Sequence, residues 1–473
     1  MRILVFGVGL FYQHRKHVLY DIAGSDEIIG FIDNRSQELL HYENTTVLHP
    51  TKIKFIDFDM ILLMSVNYRS MEKQLLELGV KKDRIIFWEK YLSSKSHGKV
   101  QFYVGNENCN NKKRILLITT RLDYNGGSVA AMYAAKAIEK TGYQVCIATT
   151  DYNEKFMGEL LTNKLNVIVA PSLSYPEKEE LFWIRSYDAV IVNTFQMIQA
   201  ACKISQWLPT IWWLHEPGSE YTSIYDDIRY RYKEYDDLNA MFKIFICAVS
   251  EKAKKNFEMY YPNRVNEILS YGIPDEKQLK KYKKTSSKVI FALIGGFVKL
   301  KAQDVFASAI RLLSDDEKNR AEFWLIGAYT NDAYCKEVKI MVESSPQIKL
   351  KGQMTREEIR KAYSEIDVVV CPSLDDSMPI VVTEGMMFEK ICIISDEVGH
   401  TQYITDGVDG FVCKAGDAKS LSEKIKFVIE NFSALGNLRA AARQTYKKMF
   451  SMSSFADRLK EILDNAMVCE TAK

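Results

Sequence analysis

The chain has 473 residues, too many for a single hydrophobic core, so two to four domains are expected. Apolar residues make up 47% and charged residues 26%, the ordinary balance of a globular protein. A formal charge of +2 argues against a nucleic-acid binder or a polybasic membrane protein. No apolar run approaches bilayer length, and Met1 leads directly into a strand-like run rather than a signal peptide. The expectation is a soluble, cytoplasmic protein. Its nine cysteines form no CxxC pair, and several (Cys146, Cys247, Cys371, Cys392, Cys413) lie in apolar runs, as reduced, buried thiols do. Its seven histidines show no HxxxH or HExxH spacing, so no metal site is expected from them.

Along the chain, short β-rich runs alternate with amphipathic helical stretches, the α/β pattern of parallel sheets, and they do so three times. Residues 1–98 form the first unit, Rossmann-like, with strands over Arg2–Gly9, Glu27–Asn34 and Asp59–Ser65 and a helix over Arg69–Gly79. Its GVGLFY (Gly7–Tyr12) gives GxG after a strand without the third glycine, and Asp33 stands where a ribose-binding acid would. Nucleotide binding and a purely structural role are both open for it. Residues 99–112 read as a linker. The second unit, residues 113–280, has strands at Arg114–Thr120, Gln144–Thr149, Asn166–Ala170, Asp188–Asn193, Thr210–His215 and Phe245–Val249. Ser128 and Ser250 are the predicted N-caps of its helices. PDEKQLKKYKKTSSK (Pro274–Lys288) breaks the pattern as a hinge. The third unit, residues 281–450, opens at Lys288–Gly296 and carries a capping box from Thr355 to Glu358. Residues 451–473 form a closing helix and tail.

The chemistry concentrates after one strand of the third unit, in PSLDDSMPIVVTEGMMFEK (Pro372–Lys390). A strand ends, a loop carries Asp375 and Asp376, and a helix begins near Ile380. Ligands of open α/β sheets bind outside the carboxyl ends of strands. The first N–H groups of that helix, around Met378, Pro379, Ile380 and Val381, suit a phosphate. Glu384, one turn on, can accept from the two hydroxyls of a ribose, and Asp376 can grip sugar hydroxyls. Acids that merely cap a helix and face water are the other reading of the same spacing. RLDYNGGS (Arg121–Ser128) places Gly126 and Gly127 where backbone N–H groups can approach a diphosphate or simply make a tight turn. LHEPGS (Leu214–Ser219) sets His215 at a strand end, as a core histidine or a ligand-facing one.

These motifs, in this order over about Lys113–Met467, resemble glycosyltransferase family 4. The family signature is PS, an acid, seven residues and a glutamate; Asp376 stands here where family members usually carry glutamate. The resemblance implies two Rossmann-like domains facing across a cleft (the GT-B fold), preceded here by the smaller Rossmann-like unit. That front unit is similar to domains at the front of bacterial sugar-modifying enzymes. It implies that His215 bonds the donor sugar, with Glu216 a weaker candidate. In IGGFVKLKAQD (Ile294–Asp304), Lys301 matches the lysine that neutralises the leaving diphosphate. Gly296 stands where an arginine often completes that clamp, and Ala302 replaces the glycine after the lysine. Gln353 and Met354, in GQMTREE, match the segment that holds the nucleotide base.

The function implied is a retaining, hexosyltransferase-type glycosyltransferase. It would move sugar from a nucleotide-diphosphate donor to a glycan or lipid-linked acceptor in bacterial surface polysaccharide synthesis. No cofactor or metal is implied, the nucleotide sugar being substrate. The tyrosine-rich Tyr221–Phe242 would line the acceptor groove, meet the inner face of the cell membrane, or pack as an ordinary helix. No nucleic-acid partner is expected, and oligomerisation would run through the first unit. Two rivals are a catalytically silent, glycosyltransferase-like nucleotide-binding subunit or scaffold, and an NAD-linked oxidoreductase resting on GVGLFY alone.

Overall fold

The computed structural model describes residues 1–471 except 40, 44, 107–111, 232–243, 278–283, 285 and 331. Part of the linker, part of the hinge and the second half of the tyrosine-rich stretch therefore lie outside the described residues.

The chain divides into two compact units. One comprises Met1–Tyr103 with Ala148–Tyr152 and Ile168–Ser186; the other holds the rest of the chain. In the first, a sheet runs in the order His41–Tyr42, Thr45–Leu48, Glu27–Ile32, Arg2–Phe6, Met60–Leu63, Ile85–Phe87. Only the hairpin of the first two strands is antiparallel. Both faces of the sheet are covered, one by Tyr12, Leu19, Trp88 and Tyr91, the other by Ile53, Phe58, Tyr68 and Leu75. Strands buried on both faces read as continuous apolar runs, which is why RILVF and MILL show no alternation. The segment 168–186 is tied in through Glu180. Its carboxylate accepts from Gly98 N at 3.0 Å and Ser172 Oγ at 2.6 Å, and contacts His97 Nδ1 at 3.1 Å.

The second unit is built on two parallel sheets. In one, Glu267–Ile268, Ile244–Ala248, Thr210–Leu214, Ala189–Asn193 and Arg114–Thr119 lie side by side. In the other, Ile348–Gly352, Ala321–Ile326, Val289–Ile294, Val368–Cys371, Ile391–Ser395 and Phe411–Cys413 do. The final helix, Met452–Thr471, leaves the second of these and packs on the helix Gly126–Lys140 beside the first. Arg458 donates to the Ser270 carbonyl at 3.1 Å, and Phe455 packs on Trp213.

Two predicted caps fare differently. Ser250 caps Glu251–Glu258, accepting from Ala253 N at 3.1 Å. Ser128 does not cap its helix. Asn125 does, accepting from Ser128 N at 2.9 Å, so the helix starts at Gly126. Asparagine caps as well as serine, and the earlier start leaves Gly126 and Gly127 as its first two residues. The described cysteines are free thiols, and all but the partly exposed Cys146 are buried.

Candidate active site

Strand Val368–Cys371 ends in the loop that carries Asp375 and Asp376, and helix Ile380–Met387 follows. No side chain caps that helix, whose first residues Ile380 and Val381 are half-exposed after buried Met378 and Pro379. A helix start without a side-chain cap is a ready anion site. The loop is pinned on two sides. Leu374 N donates to the Leu300 carbonyl at 2.8 Å, and Asp376 N donates to the Glu397 carbonyl at 3.1 Å. The first of these bonds sets the Lys299–Lys301 turn against the loop, and Lys301 Nζ pairs directly with Asp376. Burial works against the Lys301 ammonium, but Asp376 outweighs it, with Cys371 and Glu220, and holds its pKa above the usual value.

Two departures around this lysine have physical readings. Ala302 sits at φ 55°, ψ 43°, a left-handed turn in which glycine is strain-free and alanine costs roughly 1 kcal/mol. Gly296 has nothing within 4 Å of where a Cβ would stand, so a side chain there would have open space. The segment around it is braced instead by Gln303, whose Nε2 donates to the Gly296 carbonyl at 2.9 Å.

Glu384 is buried at 2% exposure, and both its oxygens are engaged. Arg356 pairs with Oε1, and Tyr363 OH donates to Oε2 at 3.0 Å. Arg356 also contacts Glu276 at 3.4 Å, and Arg360 grips Glu276 at 2.7 and 2.8 Å. Burial works against the Glu276 carboxylate, and the two arginines overcome it, lowering its pKa. Glu276 and Glu384 are buried, but Arg356 and Arg360 are each more than a third exposed, so solvent screens their side of the set. Sequence reasoning missed Arg356, Tyr363 and Glu276. The signal available was positional, Arg356 being the first residue of the helix that Thr355 caps. Gln353 is exposed and Met354 half-buried, directly after Gly352 at φ 70°.

The other sheet of this unit meets the same loop. Ser377 donates to the Glu216 carbonyl, Ser250 Oγ to the Ser377 carbonyl at 2.7 Å, and Ser219 N to Asp375 Oδ2 at 2.9 Å. Tyr271 OH donates to the Met378 carbonyl at 2.8 Å. The His215 loop and the acidic loop are thus fastened together. His215 is partly exposed, yet its Nε2 is sealed and has no partner among the described residues. Burial drops its pKa to about 3, so the imidazole is neutral. Glu216 points inward, accepting from Phe195 N at 2.5 Å and His215 N at 3.0 Å. Burial still lifts it to about 7 against those bonds. Its side chain braces the strand end. Gly126 has free space around it, while Gly127 lies over Thr194 and Asn193. Among the described residues, one group has the composition of a metal site, His97, Glu179 and Glu180, but both Glu180 oxygens already serve the contacts given above.

Comparison with known proteins bears on the family and the fold. Residues 274–448 match the family model "Glycosyl transferases group 1", residues 111–236 match "Glycosyl-transferase family 4", and residues 1–86 match "C2185-like, N-terminal". A Campylobacter jejuni N,N'-diacetylbacillosaminyl-diphospho-undecaprenol alpha-1,3-N-acetylgalactosaminyltransferase is 26% identical over 199 residues, 42% of this chain and 48% of that protein. The amylovoran biosynthesis glycosyltransferase AmsK of Erwinia amylovora is 23% identical over 49% of this chain and 58% of its own. The chain thus spans about half the length of these curated relatives. The crystal structure of Anabaena HepE with UDP and glucose aligns with a TM-score of 0.63 at 16% identity, covering 75% of this chain and all of that one. Sucrose-phosphate synthase from Thermosynechococcus elongatus aligns at 0.57 and 13% identity, covering 76% of this chain. The two sheets of the second unit therefore form a GT-B fold. Among the described residues, no helix is long and apolar enough to cross a membrane.

Proposed function

Residues 111–236 and 274–448 make this chain a member of glycosyltransferase family 4, and from that premise we propose that it is a retaining glycosyltransferase. It moves a hexosyl group from a nucleoside-diphosphate donor to a glycan or lipid-linked acceptor in bacterial surface polysaccharide synthesis, at the cytoplasmic side of the membrane. The observation that carries this reading is the convergence of Lys301, Asp376 and the uncapped start of Ile380–Met387. A diphosphate set on those N–H groups takes the Lys301 ammonium from Asp376, whose carboxylate then turns to the donor's hydroxyls. Ribose is read by Glu384, held between Arg356 and Tyr363. Developing charge on the leaving diphosphate is met by Lys301 and the helix amides. Its oxygen takes the acceptor proton on the same face, so neither a protein base nor a metal is required. UDP is the nucleotide favoured, since HepE was crystallised with UDP and with UDP-glucose. A lipid diphosphate acceptor is favoured by the name of the Campylobacter relative.

Slow hydrolysis of UDP-sugars in chelator, with UDP raising the melting temperature, is the test. The open space at Gly296, where the second cation of the clamp is missing, favours the rival reading of a silent nucleotide-binding subunit. UDP binding without any hydrolysis or transfer would select that rival.

A further inference from the structure

The carboxylate assigned above to ribose is covered by the protein's own side chains. Glu384 is 3% exposed, and among the described residues two groups hold it, Tyr363 on Oε2 and Arg356 on Oε1. The two are not alike. Tyr363 is 1% exposed, stacks on Phe388 with ring centres 4.6 Å apart, and also reaches the Val381 carbonyl at 3.4 Å, so it is fixed. The Arg356 side chain is 37% exposed. Its backbone is held at the start of helix Arg356–Glu365 by the reciprocal bonds of Thr355 and Glu358, at 3.3 and 2.7 Å. The side chain is therefore the part that moves, and exposed side chains change rotamer quickly.

A second seat lies beside it. Arg360 grips Glu276 at 2.7 and 2.8 Å, yet Arg356 Nη2 stands 3.4 Å from Glu276 Oε2, too far for a good bond. A carboxylate offers about four acceptor sites, so Glu276 has room for both arginines. The guanidinium already touches both acids. Closing on Glu276 and releasing Glu384 exchanges one ion pair for another.

We propose that Arg356 is a positioning residue with two seats: it covers Glu384 in the nucleotide-free protein and passes to Glu276 when ribose arrives. The inference rests on the ribose role given to Glu384 and deepens it. Ribose hydroxyls donating to Oε1 replace the bond that Arg356 withdraws, while Tyr363 holds Oε2 throughout. The affinity observed is then the intrinsic one, reduced by the fraction of protein in which Glu384 is uncovered. Arg356 thus opposes nucleotide binding, although a cation near a diphosphate would ordinarily favour it.

The test is calorimetry on the full chain with two probes, UDP and inorganic pyrophosphate, the second having no ribose. Arg356→Met keeps the reach of the side chain and deletes its charge; Arg356→Gln makes the same measurement if the methionine variant does not fold. UDP should bind roughly fivefold tighter, the effect of removing one modest competing bond at a part-exposed site, with pyrophosphate within about twofold of wild type. Glu276→Gln removes the second seat. It should weaken UDP by a similar factor in the otherwise wild-type chain and change nothing in the Arg356→Met background, a pattern that a purely structural arginine does not give. Weaker or unchanged UDP binding without the Arg356 charge would overturn the proposal, because Arg356 would then hold the nucleotide or only brace the fold. So would pyrophosphate affinity that shifts in step with that of UDP. Wild-type protein that binds no UDP, or UDP binding that Glu384→Gln leaves unaltered, would instead defeat the ribose reading, and the two-seat arginine with it.

Discussion

Two sheet mouths in this chain present the same elements, a glycine-bearing turn after an apolar strand and an acid close by, and they differ in where the hydrogen bonds go. In the first unit, Asp33 spends both oxygens on its own surroundings, taking Val8 N at 3.1 Å, Arg35 N at 2.9 Å and Arg35 Nε at 3.3 Å. Burial opposes its charge, and these bonds together still hold its pKa below the ordinary value. Gln13 donates to the Val8 carbonyl at 3.1 Å and accepts from Tyr42 OH at 2.8 Å, closing the turn further. The helix that follows the glycines is only Leu10–Gln13. In the second unit, the mouth holding Asp376 opens a longer helix whose start, like that of Leu10–Gln13, has no side-chain cap, and its acid is paired with the partly exposed Lys301. Facing it, His215 Nε2 is unsatisfied. The first mouth thus spends its acid within the chain, whereas the second leaves an imidazole nitrogen unpaired among the described residues. For the first unit, a structural role is the proposal to be tested.

Substitutions can break that contrast. The largest effect is expected from Lys301→Ala. Losing a positioned cation from a developing negative charge costs ~3 kcal/mol, so turnover should fall by about two orders of magnitude while circular dichroism stays that of wild type. Next come the two acids. Glu384→Gln should weaken UDP and UDP-sugar alike by roughly tenfold, whereas Asp376→Asn should weaken the UDP-sugar more than UDP. Calorimetry that finds equal effects of both changes on both ligands would end this division of roles. In the other mouth, Asp33→Asn should lower stability by ~1–3 kcal/mol and leave UDP affinity alone, because the lost bonds are internal. Loss of nucleotide binding there would reverse the comparison.

A further effect is in pH. His215 and His400, each lowered to about 3 by burial, refuse protons that the unfolded chain takes up below pH 6.5. The stability they contribute is therefore fully present above pH 6.5 and is lost as pH falls toward 3. Glu216, raised to about 7, works the other way between pH 7 and its unfolded value of 4.5. His215→Gln should make the fall of melting temperature with acid shallower below pH 6.5, by up to ~1.4 kcal/mol per pH unit. An unchanged slope would mean that the imidazole is protonated in the fold.

Much of this was legible in the sequence where local rules decide. The capping box at Thr355–Glu358, the Ser250 cap and the helix start at Ile380 are set by neighbours in the chain, and the structure has them. Lys301 and Asp376 were each legible as site residues after strand ends of one sheet, but their pairing with each other was not read from the sequence. What was hidden depends on distant partners. Nothing near Glu384 announces that Arg356 and Tyr363 flank it, and Glu216 reads like a site acid until Phe195 N claims it. Thr194 gives no sign at all, because a positive φ at threonine is imposed by Trp212 and Trp213 rather than chosen by its own residue type. Asp33 had the spacing of a ribose acid, and only the bonds from Val8 and Arg35 show how it is used.

The most direct measurement is the shift in melting temperature on adding saturating UDP to three proteins: wild type, Lys301→Ala and Asp33→Asn. A ligand that binds only the native state stabilises by about 2.7 kcal/mol at one hundred times its dissociation constant, so the readout is large. Wild type and Asp33→Asn should show a clear rise, and Lys301→Ala a much smaller one at the same UDP concentration. A rise that survives in Lys301→Ala and disappears in Asp33→Asn would contradict that expectation, placing the nucleotide in the first unit.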